Sequence, residues 1–420
     1  MSKYIINGPC RSFGGKVNIS GSKNAALPVM AAALLSEDES VLYNVPRLSD
    51  TAAMAKIIES LGCGIYRDGK GAVHISASVR RPKKSLDYYL FSRLRASILI
   101  MAPCLARFGR TRIPMPGGCK IGARPIDLHL KGFAAMGAKI KQGHGFVEAA
   151  AKNGLKGAKI YLDFPSVGAT ENIMTAACLA DGVTTVENAA GEPEIEDLAE
   201  FLNGMGAKIE GAGSDTLVIT GVPRLHGGSH RIMSDRIEAG TFLTCAAGLG
   251  AQLRAENLEV GCLKPLLAKL TEMGLEFETG RDYIELKPCA RPAAVDIKTL
   301  PYPGFPTDLQ AQTMALLTTC DGNGMVVETL FENRFSHIPE LCRMGAEIKT
   351  EGNAAFIEGV KRLTGAEVKA TDLRAGAALV AAALKADGMS VIHDIEHIER
   401  GYENFPEKLR SLGGDITAVD

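Results

Sequence analysis

The sequence predicts an α/β protein of two halves, each built from three copies of one helix-and-strand unit, with helices inside and sheets outside. Three observations carry this reading. The chain has 420 residues, more than one ordinary core organises. A Leu/Met-Gly step recurs at Leu61-Gly62, Met136-Gly137, Met205-Gly206, Met273-Gly274, Met344-Gly345 and Leu412-Gly413, at intervals of roughly 70 residues. Upstream of each step lies an Ala-rich segment that is apolar on nearly every face, as a buried helix must be. A linear solenoid fits poorly, because its units usually run to about 20–50 residues.

The elements follow in chain order. Buried helices are predicted over 24–35, 92–106, 169–180, 237–249, 309–319 and 373–384. Strands follow most of them, as at Thr184-Thr185-Val186-Glu187, Met325-Val326-Val327-Glu328 and Ser390-Val391-Ile392-His393. Amphipathic helices are predicted over 54–61, 128–136, 195–205, 263–273, 338–344 and 405–412, each with apolar spacing of three and four and a glycine C-cap. Alternating stretches such as Ala207-Lys208-Ile209-Glu210 and Ala346-Glu347-Ile348-Lys349 come next and read as strands. No low-complexity linker separates the halves, so repeat count places their boundary near residues 225–235.

Composition narrows the function. Lys plus Arg is 47 and Asp plus Glu is 48, for a net charge of -1, which argues against a general nucleic-acid binder. The longest apolar runs fall far short of the ~20 residues that span a bilayer, and residues 1–8 carry no apolar signal-peptide core. The ten cysteines are scattered singly with no Cys-x-x-Cys, so a zinc ribbon or dithiol site is not expected, and a reduced, cytoplasmic protein is. Cys104, Cys178 and Cys245 sit in apolar helical context and read as core. No phosphate-binding Gly-x-x-x-x-Gly-Lys-Ser/Thr or dinucleotide Gly-x-Gly-x-x-Gly motif occurs. His393 and His397 stand four apart but follow a strand and lack a third ligand, so no metal is expected there.

The residues that break the repeat are the informative ones. Polar clusters open the buried helices: Ser20 to Pro28, Arg93 to Ser97, Ser166 to Asn172, Asp235 to Thr241, Phe305 to Leu309 and Thr371 to Gly376. Half of them are expected to be plain N-caps. Capping does not explain why Lys23, Arg95 and Arg374 stand beside the caps, since a cation at a helix start is unfavourable unless an anion is bound. Arg334 and Arg400 occur where other copies lack them. Lys and Arg converging from several copies would hold phosphate and carboxylate together. Asp308 amid such cations is a candidate general base; Asp372 could do the same or only cap. In copy two, Pro116 to His129 holds Cys119 between glycines, with Lys120 and Arg124 close by, an environment that makes a thiol reactive.

Those motifs, above all Gly21 to Pro28, the Pro116 to His129 loop, Ser166 to Thr170, Phe305 to Asp308, Glu332 to Phe335 and Asp372 to Ala375, resemble the enolpyruvyl transferase family end to end, in its branch acting on UDP-N-acetylglucosamine. The resemblance implies a two-domain inside-out α/β barrel of six βαβαββ units, three per domain, with residues 22–232 as one domain and 1–21 with 233–420 as the other. The site would lie in the cleft between them, with the Cys119 loop as its lid. It implies transfer of the enolpyruvyl group of phosphoenolpyruvate to the 3′-hydroxyl of the amino sugar, the first committed step of peptidoglycan synthesis, with no metal or organic cofactor. Carried over, Cys119, Asp308, Lys23 and Arg400 would be catalytic. Lys23, Asn24, Arg124, Arg334, Arg374 and Arg400 would hold phosphoenolpyruvate. Arg95, Arg124, Pro125, Ile126, Asp127, Leu128, Ser166, Val167, Gly168, Asp308 and Leu330 would hold UDP-N-acetylglucosamine. Cys119 would also be the target of the epoxide fosfomycin. Three alternatives are the sister branch making 5-enolpyruvylshikimate 3-phosphate, an inactive nucleotide-sugar-binding paralogue, and a non-enzymatic helix-sheet repeat scaffold, which would not need the cation clusters. The first lacks a lid cysteine and carries a Gly-Asn-Ala-Gly-Thr-type motif where this chain has Leu94-Arg95-Ala96-Ser97; the second would not need Lys23, Cys119, Asp308 and Arg400 intact.

Overall fold

A computed structural model describes residues 2–79, 88–117, 122 and 125–419. The described residues form two compact units: an N-terminal unit of 21–79, 88–117 and 125–233, and a C-terminal unit of 2–20, 122 and 234–419. The reactive part of the predicted lid, including Cys119, Lys120 and Arg124, lies outside the described residues.

In each unit the three Ala-rich segments are buried helices. Lys23–Ala32, Met101–Phe108 and Val167–Ala177 form one set, and Arg236–Leu249, Gln310–Leu317 and Leu373–Lys385 the other. Small side chains let them pack closely: a Cβ added to Gly240 would fall 2.6 Å from Leu309 Cδ1 of the neighbouring helix segment. The amphipathic helices are Ser49–Ser60, Asp127–Ala135, Pro193–Gly204, Lys264–Glu272, Ile338–Arg343 and Phe405–Ser411. All six glycines that follow them, Gly62, Gly137, Gly206, Gly274, Gly345 and Gly413, have φ between 82° and 99°. The repeated Leu/Met-Gly step is therefore the same left-handed helix exit used six times.

Copy two departs from a single predicted helix over 92–106. It is broken into Tyr88–Arg93, a 3-10 turn Arg95–Ile100 and then Met101–Phe108, with Leu94 extended between the first two. Pro103 cannot donate a backbone hydrogen bond, so the chain enters that helix through a tighter turn.

The unit also has a strand ahead of the buried helix that the sequence does not advertise. In the sheet of copy three, Lys159–Tyr161 runs parallel to Val183–Glu187, which pairs antiparallel with Thr216–Thr220, and that strand with Lys208–Glu210. The same order recurs with Ile297–Lys298 and with Glu367–Lys369 as the leading strand. In two other sheets the leading strand comes from far away in sequence. Gly15–Asn18 runs parallel to Leu253–Glu256, and Ser229–Arg231 parallel to Ser40–Tyr43. Lys3–Gly8 completes the last sheet between Gly388–His393 and Ile416–Val419. A buried ion pair ties the N-terminal segment down: Lys408 Nζ donates to Glu238 Oε1 and to Ser20 Oγ, each at 2.6 Å, while Ser20 N donates to Glu238 Oε2 at 2.7 Å.

Candidate active site

Four of the six polar clusters are caps. Ser22, Ser166, Asp235 and Asp372 accept backbone N–H groups at the starts of their helices. Asp372 Oδ1 takes the N–H groups of Arg374 and Ala375 at 2.8 and 3.1 Å, so its role here is to start the helix. The cations beside the caps also meet the protein's own carboxylates and carbonyls. Lys23 Nζ lies 3.4 Å from Asp50 Oδ2, Arg95 Nη2 donates to the Pro125 carbonyl at 3.3 Å, and Arg374 is met by Asp308.

In the N-terminal unit, Lys23 and Asn24 open the first buried helix and Arg95 opens the 3-10 turn of the second. Pro125 and Ile126 lead into the helix that begins with Asp127 and Leu128. Ser166 caps the third buried helix, and Val167 and Gly168 form its first turn. A Cβ on Gly168 would sit 3.2 Å from His129 Cε1, so glycine allows the close approach of these two helix starts. His129 is buried, with Nδ1 accepting from Asn172 Nδ2 at 2.8 Å.

In the C-terminal unit three predicted residues meet directly. Arg334 Nη2 donates to Asp308 Oδ1 at 2.6 Å and Arg374 Nη2 donates to Asp308 Oδ2 at 3.2 Å. Both guanidinium groups are buried, with 5% and 4% of the side chain exposed, whereas 29% of the Asp308 side chain is accessible. Burial works against the charge on Arg374, but the Tyr402 oxygen and the Asp308 carboxylate outweigh it, so the guanidinium is held above its ordinary pKa. Arg374 Nη1 is buried and has no hydrogen-bond partner among the described residues. Arg400 closes the 3-10 turn Ile395–Arg400, two residues before the buried Tyr402.

Sequence reasoning did not single out Glu328. This buried carboxylate accepts from Thr299 Oγ1 at 2.9 Å, Thr307 Oγ1 at 2.8 Å, Leu330 N at 2.9 Å and Phe331 N at 3.3 Å. It thereby fixes two expected site residues, Leu330 and, through Thr307, Asp308. Its only sequence signal is a charged residue closing an otherwise apolar strand. Glu328→Gln turns an amide N–H₂ toward these donors. It is expected to cost about 1–3 kcal/mol of stability, read by urea unfolding, and to lower turnover with it.

His393, instead of facing His397, has Nε2 2.8 Å from Glu367 Oε1. Among the described residues, no three His, Cys, Asp or Glu side chains gather closely enough to hold a metal ion.

The profile of the EPSP synthase (3-phosphoshikimate 1-carboxyvinyltransferase) family matches residues 9–409. The chain is 55% identical over 402 residues to a UDP-N-acetylglucosamine 1-carboxyvinyltransferase 1 of Caldanaerobacter subterraneus subsp. tengcongensis, covering 96% of each chain. It is 55% identical over 424 residues to a UDP-N-acetylglucosamine 1-carboxyvinyltransferase 2 of Carboxydothermus hydrogenoformans, covering 100% of each. Among solved structures, the enolpyruvyl transferase NikO from Streptomyces tendae superposes with a TM-score of 0.89 at 25% identity, over 100% of this chain and 99% of that one. EPSP synthase from Acinetobacter baumannii superposes over 100% of both chains with a TM-score of 0.78 at 19% identity, a likeness of fold alone.

Proposed function

Because the chain belongs to the EPSP synthase family of enolpyruvyl transferases, we propose that it transfers the enolpyruvyl group of phosphoenolpyruvate to the 3′-hydroxyl of UDP-N-acetylglucosamine, releasing phosphate, as the first committed step of peptidoglycan synthesis. The observation that carries the choice of acceptor is end-to-end identity of about half with relatives bearing that name. The family profile carries the name of the shikimate enzyme, but two solved structures of that enzyme from Acinetobacter baumannii are 19% and 20% identical to this chain.

The chemistry requires a proton at C3 of phosphoenolpyruvate, which makes C2 electrophilic. Cys119 supplies it, or its thiol adds across the double bond, sulfur to C2 and proton to C3, to form a phospholactoyl thioether from which the sugar hydroxyl later displaces the sulfur, which takes a proton back as the thiol. The sugar hydroxyl attacks C2 and gives its proton to Asp308. The tetrahedral ketal then loses the C3 proton and phosphate, so one C–O bond is exchanged for another. Lys23, Asn24, Arg124, Arg334, Arg374 and Arg400 hold the phosphate and carboxylate. Arg95, Arg124 to Leu128, Ser166 to Gly168, Asp308 and Leu330 hold the nucleotide sugar. A substrate oxygen at Arg374 Nη1 would satisfy a buried donor that no described residue meets, which supports an anion there. Asp308 accepts the hydroxyl proton as the hydroxyl attacks C2, with Arg334 and Arg374 holding its carboxylate in place.

Phosphate release assayed with UDP-N-acetylglucosamine and, separately, with shikimate 3-phosphate tests the reading. Turnover with the second alone would overturn it.

Among the described residues no cysteine is in a disulfide and no helix is long and apolar enough to cross a membrane; both support a cytoplasmic enzyme. Burial pushes the thiols of Cys104, Cys178 and Cys245 up to about 12. Fosfomycin is therefore expected to add one adduct, at Cys119, and none at these three, as read by peptide mass spectrometry after incubation with the nucleotide sugar.

A further inference from the structure

Three buried helices of the C-terminal unit bring polar side chains to one point in an otherwise apolar core. Thr241 comes from Arg236–Leu249, Gln312 from Gln310–Leu317 and Arg374 from Leu373–Lys385. Tyr402 lies at the centre, 3% exposed. Its ring packs on Phe405 at 4.7 Å between centroids, and Phe405 packs in turn on Phe242 at 5.7 Å. The Arg374 Cζ stands 5.4 Å from the Tyr402 ring centroid.

The direction of the hydrogen bonds follows from counting protons. Thr241 Oγ1 donates its single proton to the Ile237 carbonyl at 2.8 Å. The 2.9 Å bond between Thr241 Oγ1 and Tyr402 Oη must then be donated by the phenol. That leaves the phenol oxygen as an acceptor. Gln312 Nε2 has two protons for three acceptors: one goes to the Asp308 carbonyl at 2.9 Å, and the other is shared between Thr241 Oγ1 at 3.0 Å and the phenol oxygen at 3.1 Å. Burial raises the Tyr402 pKa, against the opposing pull of Arg374, so the group stays a neutral phenol through this pH range.

We propose that Tyr402 is a positioning residue for the transfer reaction: its hydroxyl, with Thr241 and Gln312, sets the main chain at Asp308, the guanidinium of Arg374 and the turn carrying Arg400. The inference rests on the function proposed above and adds a residue to it. The geometry is economical. Gln312 holds the carbonyl of Asp308 itself, Arg374 shares Asp308 as its acceptor, and Arg400 is two residues from the phenol. Shifting one of these groups by about 1 Å can cost on the order of 100-fold in rate.

The test compares Tyr402→Phe, Thr241→Val and Thr241→Ser with wild type. Each is assayed for phosphate release at varied phosphoenolpyruvate and varied UDP-N-acetylglucosamine, with thermal unfolding measured alongside. Tyr402→Phe and Thr241→Val are expected to lower kcat by about 10- to 100-fold and to raise KM for phosphoenolpyruvate, leaving KM for the nucleotide sugar within about twofold. Thr241→Ser keeps the hydroxyl and is expected to restore kcat to within about twofold of wild type. If the first two variants unfold earlier yet keep kcat and both KM values, the network is structural only and the inference is overturned. If Tyr402→Phe does not fold, the Thr241 pair decides in the same way. A wild-type protein inert toward UDP-N-acetylglucosamine overturns the functional reading and this inference with it.

Discussion

Asp308→Asn is expected to lower kcat by about 10²–10⁴-fold, the range for loss of a positioned general base, while KM for phosphoenolpyruvate stays level or falls. The sign of the second effect comes from charge. Asp308 neutralises part of two buried guanidinium groups, with contacts of 2.6 Å to Arg334 and 3.2 Å to Arg374. Removing its charge leaves a more positive pocket, which favours an anionic substrate. A residue that only held the arginines in place would do the reverse, since loosened arginines bind phosphate and carboxylate less well. Steady-state kinetics at varied phosphoenolpyruvate separates the two, and retained kcat would remove Asp308 from the chemistry. Asn is the informative replacement because its carbonyl still accepts one guanidinium bond. Asp308→Ala leaves two buried cations without their carboxylate and loses stability as well as rate.

How much of this arrangement can be read from sequence depends on how local its cause is. The six Leu/Met-Gly steps are local, and all six glycines adopt the left-handed exit. The capping serines and aspartates are local too, which is why the starts of Lys23–Ala32, Val167–Ala177, Arg236–Leu249 and Leu373–Lys385 were legible. The leading strands Ile297–Lys298 and Glu367–Lys369 are too short for alternation to register, and they exist only because a longer parallel neighbour supplies their partners. The pairing of Lys3–Gly8 with Gly388–His393 is set by closure of the whole unit. Asp308, Arg334 and Arg374 were legible as residue types that converge, but not as direct partners, because the packing of copy six on copy five brings Arg374 to the carboxylate that Arg334 also meets. Tyr402, Thr241 and Gln312 were the least legible. Each is a polar residue in an apolar neighbourhood, and its meaning appears only when the other two face it.

Lys408→Met is expected to be the most damaging single change to stability, at about 3–5 kcal/mol near neutral pH, because it strands a buried carboxylate. Glu238 has 2% of its side chain exposed, and burial raises its pKa to about 6 even with Lys408 beside it at 2.6 Å. The ordinary carboxyl value is 4.5. Between those two values the folded state holds a proton that the unfolded state has released. Stability contributed by the protonated group is therefore full below pH 4.5 and declines as pH rises through 6, by about 2 kcal/mol in all. Lys408 lowers the Glu238 pKa by charge and by hydrogen bonding, so losing it moves the folded-state value further up and extends the decline to higher pH. Urea unfolding should show the variant closest to wild type at pH 5 and furthest from it at pH 8; a deficit independent of pH would mean that lost packing of the lysine stem, not the stranded charge, is the cause. Adding Glu238→Leu should recover most of the deficit, since an apolar pair replaces the ionic one. Recovery should stop about 1 kcal/mol short, because Ser20 N, which donates to Glu238 Oε2 at 2.7 Å, loses its acceptor in the double variant.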